Sequence, residues 1–346
     1  MQRDMKLLQT NYCCISDDEM IYVTEQNKVF VKMNLLTKAA KIMNKDILQN
    51  RVEYICTYQK RIYLVDMAQK WVAEADIDDS SRKIKYYHLK WHGGEVGNFS
   101  FICRYNEKIY MFFRNEAIVI IFNMITKKAV EKNIGIGQDN IKIDCGCIWE
   151  DKVYLFSSQM KQYFRYNLTN EDKDYMGNIP FAGEVLYTIC NNEYMYVLSQ
   201  NTVYDVKDNF RLIVKVDDPI NCNIICFAKD KIWFLPGLSD KIYTYCFKTN
   251  TYAEYQDYPE DYGYDIPEGW SKFWGYTENK EYIYWCMRAN NYIFQLNKCT
   301  GEEKWIRPVI QNVQGIINKS YFEESKVNYE GICRLDDYIN YLKSME

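Results

Sequence analysis

The chain has 346 residues, of which 48% are hydrophobic and 16% aromatic, so it can bury the core of one large domain or of two ordinary ones. The net charge is −4 with both signs mixed along the chain, which argues against a nucleic-acid surface built from a basic stripe or a membrane surface built from a Lys/Arg block. The first residues lack the apolar run of a signal peptide and no segment is long enough to span a membrane, so we expect a cytoplasmic protein whose 13 cysteines are reduced.

One pattern recurs along the chain: a small residue, a polar turn and an apolar-aromatic run. The clearest copies begin at Cys56, Cys103, Cys147 and Cys226, each seven residues before an aromatic anchor. The seven anchors are Tyr22, Tyr63, Tyr110, Tyr154, Tyr196, Trp233 and Tyr282. Strand-like repeats of roughly 40–50 residues indicate a β-propeller with one four-stranded blade per repeat. We therefore predict an all-β fold, a seven-bladed propeller over residues 1–306, with residues 307–346 as a C-terminal tail.

Each repeat contains four short segments rich in β-branched and aromatic residues. In the second repeat the predicted strands are 52–58, 61–67, 71–77 and 83–89. The spacing around the last two repeats is uneven, so six blades plus an irregular element is an alternative. No strand is visibly borrowed from the opposite terminus, which leaves the way the ring closes open.

The repeated cysteines fit the innermost strands, where blades converge and only small side chains have room. Cys14 and Cys190 lie one residue from this position by the same count, and Gly275 takes it in the last repeat. We expect buried free thiols, no disulfides, and neither a metal nor a cofactor. A thiol ring that binds metal is the alternative, but metal-ligating cysteines usually come in close pairs and these lie one per repeat.

The third strand of several repeats is followed by Asn-x-x-Thr or a near copy of it. These motifs begin at Asn34, Asn123, Asn167 and Asn297. Asn and Thr side chains bond to nearby backbone groups in tight turns, so the motif predicts a structural turn.

The connections from each outer strand to the next inner strand lie on one face of a propeller, and loops on rigid scaffolds often carry function. Two of them stand out: residues 88–98, which carry both histidines, and the longest one, residues 256–271. The candidate ligand-binding or partner-binding residues in them are Trp91, His92, Tyr262, Tyr264, Asp265 and Trp270. Aromatic rings beside carboxylates suit a sugar ring or a cationic peptide. The alternative is that these aromatics only pack on the blade beneath them.

His88 and His92 have the spacing of a helical zinc site. A predicted strand precedes them and two glycines follow, so we do not expect a helix or a metal there.

Residues 331–345 repeat apolar residues at intervals of three and four, which predicts an amphipathic helix. Its apolar stripe consists of Ile332, Leu335, Ile339 and Leu342. The helix either lies on its own propeller or docks to a partner or a second copy.

The stretch from Lys231 to Gly237, with the one from Lys241 to Tyr255, resembles the kelch and related propeller repeat families, and the resemblance extends over about residues 5–306. The Gly-Gly pair of kelch repeats is absent from every unit, as are the Gly-His and Trp-Asp signatures of the WD40 family. The resemblance implies a propeller, and some kelch-like propellers epimerise or mutarotate sugars.

Catalytic motifs are lacking: the sequence has no Gly-x-Ser-x-Gly, no phosphate-binding Gly-Lys-Ser loop, and only two histidines to act as general bases. Our first hypothesis is a non-catalytic protein-interaction scaffold that serves a bacterial assembly or biosynthetic system. The alternative is a propeller that binds or modifies a saccharide in glycan biosynthesis. In either case the protein or saccharide partner binds the loop face.

Overall fold

The computed structural model describes residues 10–16, 19–24, 30–43, 52–66, 70–78, 83–90, 99–134, 141–216, 222–236, 241–260, 262, 273–287 and 292–311. The regular elements in these ranges are all β-strands. The same ranges contain no helix that could cross a membrane.

The strands fall into seven sheets, one per blade, and the four strands of each blade pair in antiparallel fashion. Blade 1 consists of β1 (Thr10–Ser16), β2 (Glu19–Thr24), β3 (Phe30–Asn34) and β4 (Ala39–Ile42). Blade 2 consists of β5 (Val52–Tyr58), β6 (Arg61–Asp66), β7 (Trp71–Asp76) and β8 (Lys85–His88). Blade 3 consists of β9 (Phe99–Tyr105), β10 (Lys108–Phe113), β11 (Ile118–Asn123) and β12 (Lys128–Asn133). Blade 4 consists of β13 (Cys145–Trp149), β14 (Lys152–Ser157), β15 (Gln162–Asn167) and β16 (Lys173–Asn178).

The remaining blades follow the same order along the chain. Blade 5 consists of β17 (Val185–Cys190), β18 (Met195–Ser199), β19 (Thr202–Asp205) and β20 (Arg211–Lys215). Blade 6 consists of β21 (Cys222–Ala228), β22 (Lys231–Pro236), β23 (Tyr243–Cys246) and β24 (Thr251–Glu254). Blade 7 consists of β25 (Phe273–Glu278), β26 (Tyr282–Met287), β27 (Ile293–Asn297) and β28 (Glu303–Ile306), and a last strand, β29 (Val309–Gln311), follows it.

The seven-bladed architecture predicted from the repeats is confirmed, and the six-blade alternative is wrong. The first strand of each blade is the innermost one, since β1 packs against β5 and β25, and β13 packs against β9 and β17. The predicted strands of blade 2 agree with the observed ones to within two residues at each end. The predicted helix at 331–345 lies outside the described residues.

The ring closes by an added strand, which the sequence did not reveal. Blade 1 has its own four strands, and β29 pairs in parallel with β4 on the outer side of that blade. The Val309 amide donates to the Lys38 carbonyl at 3.0 Å. The chain that leaves blade 7 is thus tied to blade 1.

Apolar side chains fill the spaces between neighbouring blades. Ile21 of blade 1 packs with Ile55 and Ile62 of blade 2, and equivalent clusters lie between the following pairs of blades. The last cluster joins Met20 of blade 1 to Cys286 of blade 7. The hydrophobic core is therefore a closed series of interfaces, and each blade is stabilised by both neighbours.

The cysteines lie where the repeat predicted them. Cys56, Cys103, Cys147 and Cys226 are buried and sit on the innermost strands. Each faces its anchor aromatic, as in the pairs Cys56–Tyr63 and Cys226–Trp233. The eleven cysteines for which the structure describes a side chain are free thiols.

The pairing register corrects two repeats. Counted from the hairpin that closes the first two strands, Cys14 occupies the cysteine position of blade 1 and faces Ile21. In blade 7 the position belongs to Thr277, which faces Tyr284, so Gly275 lies two residues too early. The prediction counted back from an aromatic residue, whereas the turn fixes the register of a hairpin.

The Asn-x-x-Thr motifs form the predicted turns. The Asn34 carboxamide oxygen accepts hydrogen bonds from the amides of Leu36 at 3.0 Å and Thr37 at 2.8 Å. The same pair of contacts is made by Asn123, Asn167 and Asn297. These turns lie on the face opposite to the outer-to-inner connections, because strands alternate in direction within each blade.

Candidate functional site

Of the six predicted site residues, the structure describes Tyr262; Trp91, His92, Tyr264, Asp265 and Trp270 lie outside the described residues. The Tyr262 ring stacks on Tyr258 with centroids 4.3 Å apart and meets Trp305 edge-on at 5.4 Å. Burial raises the pKa of its phenol well above the ordinary value. Tyr262 thus packs between blades 6 and 7, and its part in binding stays a prediction.

The start of the 256–271 connection is fixed by hydrogen bonds to its two blades. The Tyr258 hydroxyl accepts from the Ile242 amide at 2.6 Å. The Trp305 indole N–H donates to the Tyr255 hydroxyl at 3.2 Å, and that hydroxyl donates to the Asp257 carbonyl at 2.9 Å. Whether the remainder of the connection binds a ligand stays a prediction.

A buried carboxylate on the loop face was missed by the sequence analysis. The Asp144 side chain is 1% exposed, and its carboxylate accepts from the Ser158 amide at 2.6 Å and lies 3.3 Å from the Lys142 ammonium. It fastens the entry of blade 4 to the turn after β14. An Asp directly before an innermost strand was the available signal, but acidic residues are too frequent in this chain to single it out.

The innermost strands place three tyrosines at the propeller axis. The pKa of Tyr54 is raised by burial and further by the thiols of Cys56, Cys103 and Cys14, which belong to three different blades. The pKa of Tyr187 on blade 5 is raised by burial and then by Cys226 and Glu278 on blades 6 and 7. Tyr276 on blade 7 is influenced by Tyr187. Because the pKa values of these phenols are affected by groups on several blades, the three tyrosines lie where the blades converge.

Burial favours the neutral forms of the thiols and phenols along this axis. Burial raises the pKa of the Cys56 thiol to about 12, against the opposing effects of the Arg104 charge and a Tyr54 hydrogen bond. Burial likewise raises the pKa of Cys103, Tyr54 and Tyr276. Neither thiolate nucleophiles nor general bases are therefore available from these side chains.

One residue beyond the cysteine position, each innermost strand has a residue close to its hairpin turn, at one end of the axial channel. We call these seven residues the mouth ring: Ile15, Thr57, Arg104, Ile148, Cys190, Phe227 and Glu278. The ring is neutral apart from Arg104 on blade 3 and Glu278 on blade 7.

Side chains of the mouth ring bond to backbone groups of the preceding blade. A guanidinium nitrogen of Arg104, Nη1, donates to the Thr57 carbonyl, and the Cys190 thiol donates to the Ile148 carbonyl at 3.0 Å. Backbone groups alternate along a strand between the two sides. The Thr57 carbonyl points away from β6 and toward the axis, and the guanidinium that binds it therefore lies at the channel mouth.

The two charges of the ring differ in their partners. The Glu278 carboxylate lies 2.8 Å from the Lys298 ammonium and also accepts from the Tyr276 phenol. Among the described residues no carboxylate pairs with Arg104, whose side chain is exposed. The described residues also bring together no set of three or more His, Cys, Asp or Glu side chains that could hold a metal.

No protein-family model matches the chain, and no curated protein matches its sequence. Solved structures with the same fold include a streptogramin B lyase, with a TM-score of 0.62, 11% identity, and coverage of 85% of this chain and 94% of that one. A catalytically inactive virginiamycin B lyase from Staphylococcus aureus, solved with quinupristin, gives a TM-score of 0.59, 13% identity, and coverage of 82% and 94%. PorZ, a surface component of the type-IX secretion system of Porphyromonas gingivalis, gives 0.55, 11%, and coverage of 88% and 38%.

At these identities the similarity shows the fold alone. It confirms the propeller implied by the kelch-like resemblance, while membership of that family stays a prediction.

Proposed function

We propose that this chain is a non-catalytic, cytoplasmic propeller that serves as a scaffold for protein interactions. The observation that carries the proposal is the chemistry of the axis. Enzyme sites usually hold groups whose pKa values lie near the working pH. Burial instead raises the pKa values of the phenols and thiols at this axis, and so moves them further from neutral pH.

The face with the Asn-x-x-Thr turns supports this proposal. Leu36 is 81% exposed and Ile125 is 57% exposed, and each is the second residue after the asparagine of its turn. The turn itself needs only the Asn and Thr side chains, so these apolar residues have no role in forming it. Exposed aliphatic side chains at equivalent positions of blades 1 and 3 suit contact with another protein.

The neighbours in structure do not decide between functions. A lyase and a secretion-system component share this fold, and one fold commonly hosts unrelated activities. The proposal therefore depends on the chain's own residues.

The test is affinity capture from source cells with the tagged full chain, followed by quantitative mass spectrometry. A double variant, Leu36→Ser with Ile125→Ser, should lose the captured partner at least tenfold, while both proteins melt at the same temperature. The matched control is Val130→Ser, which removes an aliphatic side chain that is 52% exposed on β12 and should keep the partner.

A partner that the double variant captures as well as the wild type would contradict this use of the turn face. Turnover of a nucleotide sugar, or saturable binding on a glycan array, would overturn the scaffold proposal in favour of a sugar-handling propeller.

A further inference from the structure

Arg104 has the geometry of an anion anchor. Its guanidinium is fixed at the channel mouth by the hydrogen bond to the Thr57 carbonyl. A guanidinium has five N–H donors in one plane, and this hydrogen bond occupies a single nitrogen. The remaining donors are exposed to solvent and can bind both oxygens of a carboxylate.

The charge of Arg104 is the uncompensated one in the mouth ring. Glu278 is neutralised by Lys298 at 2.8 Å, and the other five ring residues carry no charge. The positive charge also acts on the buried Cys56 thiol: it lowers the pKa of this thiol, although burial raises that pKa by more. A ligand with a single negative charge would balance it, whereas a phosphate dianion would need more cations than the ring offers.

The cleft that contains the Arg104 side chain also contains an aromatic ring. Tyr58, the next residue along β5, extends from blade 2 toward blade 3, while Arg104 extends from blade 3 toward blade 2, so both lie in the same cleft. Tyr58 is half-buried, whereas Ile15 packs toward blade 7 and the Phe227 ring packs against Tyr194 of blade 5. A ligand that fits combines a carboxylate with an apolar body.

We propose that the Arg104 side of the mouth ring binds the C-terminal end of a partner polypeptide, whose α-carboxylate pairs with Arg104 and whose last side chain packs on Tyr58. The inference rests on the proposed scaffold function and names the part of the partner that is recognised. A chain end suits an axial opening, because an internal segment would have to enter the ring and turn back out.

The experiment uses fluorescence anisotropy with the full chain and three pools of N-terminally labelled random hexapeptides that lack Asp and Glu at the random positions. One pool has a free C-terminal carboxylate, one ends in an amide, and one ends in an amide but contains a single internal Glu. We expect the free-carboxylate pool to bind at least tenfold more tightly than both amide pools. Arg104→Gln should abolish this difference, and Arg104→Lys should recover only part of it because the planar fork is lost.

The control variant is Arg211→Gln, which makes the same charge change at an arginine that is 60% exposed and paired with Asp208. It should leave the binding of all three pools unchanged. Melting temperatures of the variants separate a loss of binding from a loss of folding.

Equal binding of the free-acid and amide pools, or an Arg104→Gln variant that folds and binds like the wild type, would overturn the proposal. Tight binding of the pool with the internal Glu would replace the chain end by an acidic side chain and would also overturn it. If a captured partner depends on Leu36 and Ile125 but not on Arg104, the scaffold function stands and the carboxylate anchor fails.

Discussion

The two blade interfaces on either side of blade 3 each contain an ion pair, and the order of the charges differs between them. Between blades 2 and 3, the Lys127 ammonium lies 2.6 Å from the Glu74 carboxylate of the preceding blade. Between blades 3 and 4, the Glu171 carboxylate lies 2.8 Å from the Lys108 ammonium of the preceding blade. Lys127 and Glu171 are equivalent residues, since each comes four positions after the asparagine of a turn.

The hydrogen bond to the backbone is the same in both interfaces. The hydroxyl of the anchor Tyr63 donates to the Met124 carbonyl at 3.3 Å, and that of Tyr110 donates to the Leu168 carbonyl at 2.9 Å. Met124 and Leu168 each follow the asparagine of a turn. This explains why an aromatic anchor recurs: in these blades its ring fills the interface, and its hydroxyl binds the turn of the next blade.

The tyrosine hydrogen bond is repeated at both interfaces, whereas the ion pair differs between them. The backbone carbonyl is available in every turn whatever the residue, so the tyrosine contact can be repeated without change. Charges must match locally, so each interface has its own pair: Glu74 lies on the third strand of blade 2, whereas Lys108 lies on the second strand of blade 3.

Reversing one charge of an inter-blade ion pair should have the largest effect on stability. Lys127→Glu places a second carboxylate beside Glu74, whose side chain is 8% exposed and would keep Arg61, at 3.7 Å, as a cationic neighbour; it should lower the free energy of unfolding by about 3 kcal/mol. Adding Glu74→Lys gives this interface the charge order of the next one and should restore most of the loss. Urea unfolding of the single and double variants measures both effects.

A matched control is Lys128→Glu, which reverses the adjacent exposed lysine and should change stability by less than about 0.5 kcal/mol. A double variant no more stable than Lys127→Glu would show that the two interfaces are not interchangeable.

Acid should weaken both interfaces together. Burial alone would raise the pKa of Glu74 and Glu171, but hydrogen bonds and charges from Lys127 in one case and from Lys108 and Lys132 in the other leave both below the ordinary value of 4.5. The unfolded chain then takes up protons first as the pH falls. The stabilisation is present above pH 4.5 and is lost as the pH drops through the folded-state values.

Unfolding free energies measured between pH 6 and pH 3 check this pH dependence. The double variant Glu74→Gln with Glu171→Gln should be less stable at pH 6 and should lose less stability on acidification than the wild type. Parallel pH profiles for the two proteins would contradict the assignment.

The sequence predicted the repeated parts of these interfaces and not the local ones. The period, the cysteine positions and the asparagine turns are encoded over a few residues, where turn chemistry and strand alternation act. The pair formed by Glu74 and Lys127 joins different blades, so no local pattern reports it. Strand β29 was not predicted either, because it is short and its partner strand, β4, lies near the opposite end of the chain.

The candidate site shows the same division. Loop length and aromatic content drew attention to residues 256–271, yet Tyr262 packs between blades. Arg104 sits inside a strand that reads as ordinary, and its position at the axis follows only from the pairing register of β9. Its lack of a described carboxylate partner could be seen only in the folded ring.

Removing the anchor hydroxyls should have a smaller effect than reversing a charge. Tyr110→Phe keeps the buried ring and deletes one hydrogen bond, which should cost about 1 kcal/mol. Tyr63→Phe should cost somewhat more, because the hydroxyl also accepts from the Lys127 ammonium at 2.6 Å. Urea unfolding distinguishes the two variants, and an unchanged midpoint for both would show that the hydroxyls do not bind the blades together.

The smallest expected effect comes from glycine substitutions, which separate the backbone strain at the Lys127 position from the contribution of its side chain. Lys127 and Glu171 have φ values of 60° and 59°, in the left-handed region, where a side chain costs about 1 kcal/mol relative to glycine. Lys161 has a similar φ of 51°, but its side chain is exposed. Lys161→Gly should therefore raise the free energy of unfolding by a few tenths of a kcal/mol, since the gain in the folded state is partly offset by the greater freedom of glycine in the unfolded chain. Lys127→Gly should lower it instead, because the contacts with Glu74 and Tyr63 are worth more than the relief of strain. If both glycine variants were stabilised equally, the inter-blade ion pair would contribute nothing, and the choice of lysine or glutamate at this position would have no bearing on stability.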